Sequence, residues 1–149
     1  MFNTIYINRL IKNIMRMYEI CDIIFKLYLY ADNTKMIHYY TDSNHEHELA
    51  DKVRDTILSF VDDLAEQTFG YFGKPSFGDM SLKQDISIER DLNKICQKCI
   101  DIVAPLYSSF NKNEKLSGII SLIDDFKGEL GQMAFLGTFD KVSNYKLEK

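Results

Sequence analysis

HYYTDSNHEHELADKVRDTILSFVDDLAE, residues 38–66, decides the reading of this chain. The stretch holds all three histidines: His38, His45 and His47. Asp51 follows His47 by four residues, Asp62 lies eleven further on, and Glu66 four beyond that. On one α-helix, at about 100° per residue, His47, Asp51, Asp62 and Glu66 fall at roughly 0°, 40°, 60° and 100°. Leu49, Ala50, Val53, Ile57, Phe60, Val61 and Leu64 occupy an apolar arc from roughly 200° to 320°. The stripe of histidine and carboxylate therefore lies on the flank of the helix, with Leu58 and Ala65 beside it. Imidazole and carboxylate form the donor set accepted by divalent iron, manganese or zinc. Charged residues on an outer helix face are more often simply solvated, and Glu48 and Asp55 share this arc.

The pattern H-x3-D-x10-D-x3-E, preceded by a histidine near the end of the previous helix, resembles the ferroxidase signature of Dps proteins. These are the ferritin-like "DNA-binding protein from starved cells" family. The matching residues are His38, His47, Asp51, Asp62 and Glu66. The spacing within the second helix is kept without a gap. The two motif histidines stand nine apart, closer than in the usual pattern. That shorter interval is similar to phage-encoded Dps-like proteins with a motif of the kind HWxTxSxxxH, with Tyr39 in place of the tryptophan. The resemblance is clear over residues 20–73 and weaker over 114–140. It implies an all-α, ferritin-like antiparallel four-helix bundle with a long crossover between the second and third helices. It further implies iron as the metal, oxidised by peroxide or oxygen at a site shared between subunits. Storage as mineral in a dodecameric cage follows in the family, often with DNA bound through a basic tail.

Composition is consistent with such a fold. The 149 residues suit one domain, and 46% apolar content supports a real core. Two prolines and seven glycines argue against an all-β chain with many turns. A net charge of −4 gives no whole-chain case for nucleic-acid binding. Three cysteines, an odd number, do not form a disulfide framework. Cys21, Cys96 and Cys99 read as buried thiols of a reducing compartment.

Residues 1–17 carry Arg9, Lys12 and Arg16 and no acid. Three readings stay open for them: an extension of the first helix, a basic arm for phosphate or an anionic surface, or a segment preceding a start at Met15 or Met17. No stretch reaches the ~18 uninterrupted apolar residues of a membrane span, and no signal peptide is evident. The expectation is a cytoplasmic protein, with virion association as an alternative.

The helical domain is expected over 18–139, followed by a polar tail at 140–149. Helix A spans 18–40, although Asp32-Asn33-Thr34 is poor helix material that only packing can hold. His38 continues its apolar stripe, where a lone histidine is more often a hydrogen-bonded core residue. Ser43 or Asn44 caps helix B, which runs to Phe69 and ends at Gly70. Residues 70–79 form the turn-rich crossover, with Phe72 and Phe77 packing on the domain or a neighbour. Helix C is expected from Asp85 to Ala104, stopped by Pro105, with Ile88 on its core stripe. Helix D is expected from Glu114 to Thr138, with a stripe of Ile119, Ile123, Phe126, Leu130 and Met133. Gly128 and Gly131 suggest close helix approach. Asp124, Asp125 and Glu129 are read as solvated. Helices C and D contain no histidine, which excludes the usual Glu-x-x-His di-iron pairing within one chain.

The short A–B connection makes these helices antiparallel, so His38 comes to lie near the start of B. Asp62 and Glu66 then stand roughly 20 Å further along B. One chain cannot gather all five residues round one ion; a two-fold dimer with antiparallel B helices can. The rival expectation keeps the fold and loses catalysis, leaving a structural or DNA-associated assembly protein. Its carboxylates would be solvated or ion-paired.

Overall fold

The computed structural model describes residues 2–80 and 85–139. The tail at 140–149 lies outside the described residues. Four helices pack against one another: α1 (Phe2–Tyr40), α2 (Asn44–Phe72), α3 (Leu92–Phe110) and α4 (Ser117–Leu136). Two short 3-10 turns, Phe77–Asp79 and Glu114–Leu116, interrupt the connections, and there is no strand among the described residues.

Cross-helix contacts give the direction of each helix. Along α1 and α2, His38 meets His47, Lys35 meets Asp51, and Cys21 and Phe25 share a cleft with Ala65 and Phe69. Residue numbers rise on one helix as they fall on the other, so the pair is antiparallel. Phe60 stacks on Phe126 at 3.9 Å and Thr56 approaches Met133, which makes α2 and α4 antiparallel as well. Asn33 meets Glu89 just before α3, and Arg16 lies 5.5 Å over the Phe110 ring at its end. Helix α3 therefore runs opposite to α1 and in the same direction as α2. Helices that run the same way cannot be joined by a tight turn, so the chain between Phe72 and Leu92 must return along the length of the helices.

The core forms where the four apolar stripes meet. Ile20, Leu27, Ile57, Leu64, Ile95, Leu106, Ile123 and Leu130 are fully buried. Met133, expected at the end of the α4 stripe, is partly buried against this core. Asp32-Asn33-Thr34 remains helical because tertiary bonds hold it. The Asn33 amide donates to the Glu89 carbonyl and accepts from the Glu89 N–H, each at 2.8 Å. Thr34 Oγ1 donates to the Ala31 carbonyl at 2.6 Å. All three cysteines are free and buried.

Several boundaries differ from the sequence reading. Helix α1 is continuous from Phe2. Ser43 caps α2, its hydroxyl accepting from Glu46 N at 3.1 Å. Gly70 lies inside that helix, which continues to Phe72 and closes at Gly73 with φ +95°. Only glycine takes that backbone without penalty. Helix α3 begins at Leu92, not near Asp85, because Asn33 holds Glu89 in extended chain and Asp91 supplies the cap to Asn93 N. Ile88 consequently lies outside the helix, 77% exposed. Pro105 does not stop α3. It sits with Asp101 on the exposed face, where water can take the carbonyl left without a donor, while Val103, Leu106 and Phe110 carry the buried stripe onward.

Helix α4 proper starts at Ser117 after a 3-10 turn capped by Asn113 and ends at Leu136. Phe72 packs on the core, but Phe77 is 88% exposed. Gly128 and Gly131 have no close neighbour; Gly137 is the glycine held tightly, against the Asn93 side chain.

Two outcomes test this packing. Phe60→Ala should lower unfolding free energy by about 3–5 kcal/mol in urea titration, the usual cost of emptying a buried phenyl site. Burial pushes the Cys96 thiol up to about 12 and raises Cys99 well above its ordinary value. Neither should react with iodoacetamide at pH 8 in the folded protein, and both should react after denaturation.

Candidate metal centre

The five motif residues fall into two groups on the α1/α2 hairpin. The first lies at the closed end. His38, on the last turns of α1, and His47, on the first turns of α2, stack their rings with centroids 3.6 Å apart and planes at 24°. Each Nδ1 points at the other residue's backbone. His38 Nδ1 is 2.8 Å from the His47 carbonyl, and His47 Nδ1 is 2.7 Å from the His38 carbonyl. A carbonyl only accepts, so both Nδ1 atoms carry the proton. In the neutral rings the lone pair is then on Nε2. This is the arrangement in which a histidine serves a metal, with one nitrogen anchored as donor and the other left basic.

Asp51, one turn into α2 from His47, joins them. Its Oδ1 is 3.2 Å from His38 Nδ1 and 2.9 Å from Lys35 Nζ. The hydrogen bond from Lys35, together with its charge, holds the Asp51 carboxyl below the usual range. Lys35 was not singled out by the sequence reading. Its signal lay in helix geometry: it stands one turn before His38, and the antiparallel register that sets His38 against His47 sets Lys35 against Asp51.

The second group is Asp62 and Glu66, joined by Asp63. All three are exposed, and one oxygen from each lies within 4.8 Å of the others. None makes an ion pair among the described residues. Asp62 and Glu66 stand 11 and 15 residues beyond Asp51, about 16–23 Å along the helix. The structure thus brings His38, His47 and Asp51 together, brings Asp62 and Glu66 together, and keeps the two groups apart. Nitrogen plus carboxylate on one side and carboxylates on the other suit iron, manganese or zinc, but neither group alone completes a coordination sphere.

The third histidine belongs elsewhere. His45 Nε2 donates to the Leu136 carbonyl at 2.8 Å and so ties the start of α2 to the end of α4. Asp125 and Glu129 line a shallow cleft with Asp63 between α2 and α4. No protein-family model, curated protein or solved structure matches this chain. No described helix is long and apolar enough to cross a membrane.

Because Lys35 occupies the Asp51 oxygen nearest the histidines, a metal using that oxygen must displace its ammonium. Lys35→Met should therefore tighten divalent-metal binding by about 3- to 10-fold in calorimetric titration, whereas Lys35→Arg should stay near wild type.

Proposed function

We propose that this chain is a ferritin-like protein of the Dps type, a four-helix bundle with a long crossover. Its substrate is iron(II), bound at a site shared between two subunits and oxidised there by peroxide or oxygen for storage. The observation that carries the reading is the pairing of His38 and His47. Both rings are held by Nδ1, both keep a basic Nε2, and Asp51 lies alongside. The helix directions add support, since a single long crossover between parallel second and third helices is the ferritin-like path. Asp62 and Glu66 of a partner subunit are the remaining ligands in this reading. A two-fold dimer in which α2 packs antiparallel on its copy supplies them.

The residues of this chain have distinct roles in the proposed reaction. Asp62 and Glu66 carry the charge that attracts and holds the cation. His38, His47 and Asp51 complete its surroundings from the other subunit, with the two backbone carbonyls fixing ring orientation. Zinc or manganese would satisfy the same donors. A second reading keeps the assembly and drops the metal. The Lys35–Asp51 ion pair favours it, because that carboxylate already has a cation. DNA as a partner has less behind it, given a net charge of −4.

Elemental analysis of untagged protein before and after anaerobic iron(II) addition tests the proposal. The wild type should take up iron stoichiometrically with the number of shared sites. His47→Ala/Asp62→Ala should lose it while remaining folded by circular dichroism. Iron uptake equal in both proteins, or absent from both, would reject the ferroxidase reading and leave the metal-free assembly.

A further inference from the structure

Residues 3–12 of α1, Asn3-Thr4-Ile5-Tyr6-Ile7-Asn8-Arg9-Leu10-Ile11-Lys12, are all exposed. Tyr6 keeps 69% of its surface in solvent and Leu10 46%. These apolar side chains enter no core because α1 outruns its neighbours. Phe72, the last residue of α2, stands 21 residues beyond Asp51, and 21 residues before Lys35, the partner of Asp51, is position 14 of α1. Arg16 already lies over Phe110, the last residue of α3. Residues 3–12 therefore form an arm that extends past the ends of both helices for about 15 Å. Three isoleucines, a threonine, a tyrosine and two asparagines are weak helix formers, and three turns without tertiary contact are marginal in water. Such an arm is stabilised most by a surface that buries one of its faces.

The arm is two-sided. With Tyr6 at 0° on the helical wheel, Leu10, Ile7 and Ile11 fall at roughly 40°, 100° and 140°. Asn8, Lys12, Arg16 and Arg9 fall at roughly 200°, 240°, 280° and 300°. Asn3 lies within the apolar arc and Ile5 among the cations. Residues 1–18 hold three cations, Arg9, Lys12 and Arg16, and no acid. The whole chain has a net charge of −4, so the remaining residues together carry −7. Arg9 and Lys12 make no ion pair among the described residues. Positive charge is thus gathered on one side of an apolar arm at one end of an acidic molecule.

We propose that residues 3–12 of α1, with Arg16 at their base, dock this protein on an anionic lipid surface. Tyr6, Ile7, Leu10 and Ile11 enter the boundary between headgroups and acyl chains, and Arg9, Lys12 and Arg16 meet the headgroup charge, the division of labour of a helix bound at a membrane interface. The contact is at the surface, since no described helix is long and apolar enough to cross a membrane. Charge and apolarity together select this partner. Nucleic acid would use the cations and leave the apolar arc in water. The arm of a second copy would cover the arc but bring like charges together. The acidic residues Asp62 and Glu66 do not cancel the attraction. They stand 11 and 15 residues beyond Asp51, level with positions 24 and 20 of α1. Lys12 is therefore at least about 12 Å away along the axis, further than the Debye length of about 8 Å at physiological salt.

The test is flotation of the full chain with vesicles of phosphatidylcholine, alone or with phosphatidylserine as about one-third of the lipid. The wild type should float with the serine-containing vesicles, less so as salt rises, and bind the neutral ones weakly. Arg9→Gln/Lys12→Gln should weaken binding to the anionic vesicles about tenfold or more. Leu10→Glu/Ile11→Glu should abolish it. Both variants should stay folded by circular dichroism, because the substituted side chains lie outside the core. The chain has no tryptophan, so one introduced residue serves as the reporter. Tyr6→Trp fluorescence should shift to the blue on anionic vesicles, whereas Asn8→Trp on the polar arc should not. A wild type that stays off anionic vesicles would overturn the proposal, as would binding indifferent to Leu10→Glu/Ile11→Glu or equal shifts at positions 6 and 8. Retardation of duplex DNA that needs Arg9 and Lys12, without vesicle binding, would assign the arm to nucleic acid instead. An oligomer that Leu10→Glu/Ile11→Glu dissolves in sedimentation equilibrium, again without vesicle binding, would assign it to a second copy; either result rejects the lipid surface.

Discussion

The rest of the structure depends on the antiparallel register of α1 and α2. A connection of three residues, Thr41 to Ser43, leaves little freedom in how the helices start alongside each other. The reciprocal bonds between His38 and His47 then tie the last turns of α1 to the first turns of α2. The serine cap and the backbone bond from Thr41 N to the Ile37 carbonyl close the same corner. Once that end is fixed, straight helices carry the register along their length. Lys35 must fall against Asp51, and Cys21 and Phe25 must fall near Ala65 and Phe69. The corner that holds the candidate ligands is thus also the corner that aligns the hairpin. Substitution of either histidine acts on register as well as on any metal.

The second constraint is direction. Because α2 and α3 run the same way, the chain must travel back the length of the helices between them. It is secured where it arrives. Asn33 takes both backbone groups of Glu89, Arg90 reaches Glu46 at 2.8 Å, and the Arg90 guanidinium lies 5.3 Å over the Tyr40 ring. Lys98 pairs with Glu89 at 3.3 Å from within α3. The hydrogen bond to Glu46 raises the proton affinity of Arg90. Burial works to raise the Glu46 carboxyl, but the hydrogen bonds from Arg90 and Thr41 bring it below its ordinary value. Two apparent weaknesses in the sequence, an asparagine within α1 and a helix that begins late, meet in one clamp.

Helix type and core residues were legible because periodicity reports burial directly. The stripes of Ile57, Leu64, Ile119, Ile123 and Leu130 all lie inside. Boundaries were less legible because they depend on partners distant in sequence. Ile88 keeps helical spacing with Leu92, yet no local signal shows that Asn33 pulls the preceding backbone out of helix. Pro105 is a stop signal in isolation and a tolerated residue on an exposed face. At the candidate site, the positions of His38, His47 and Asp51 followed from loop length and helix rise. Lys35 did not, because a lysine on a helix surface carries no local mark of its partner.

The two candidate groups differ in more than position. At the hairpin corner Asp51 is matched by Lys35, so the formal charge with neutral imidazoles is zero. At the far group three carboxylates stand together and exposed. A field of that kind raises the local concentration of divalent cations before any specific contact forms. The corner has the opposite character: fixed rings, protons committed to carbonyls and a carboxylate already occupied. Attraction and geometry are therefore separated along one helix, and the proposed dimer is what would combine them. In the proposed dimer Asp62 and Glu66 would attract the cation, and the corner of the second copy would supply His38, His47 and Asp51. Assembly then becomes a condition for complete coordination.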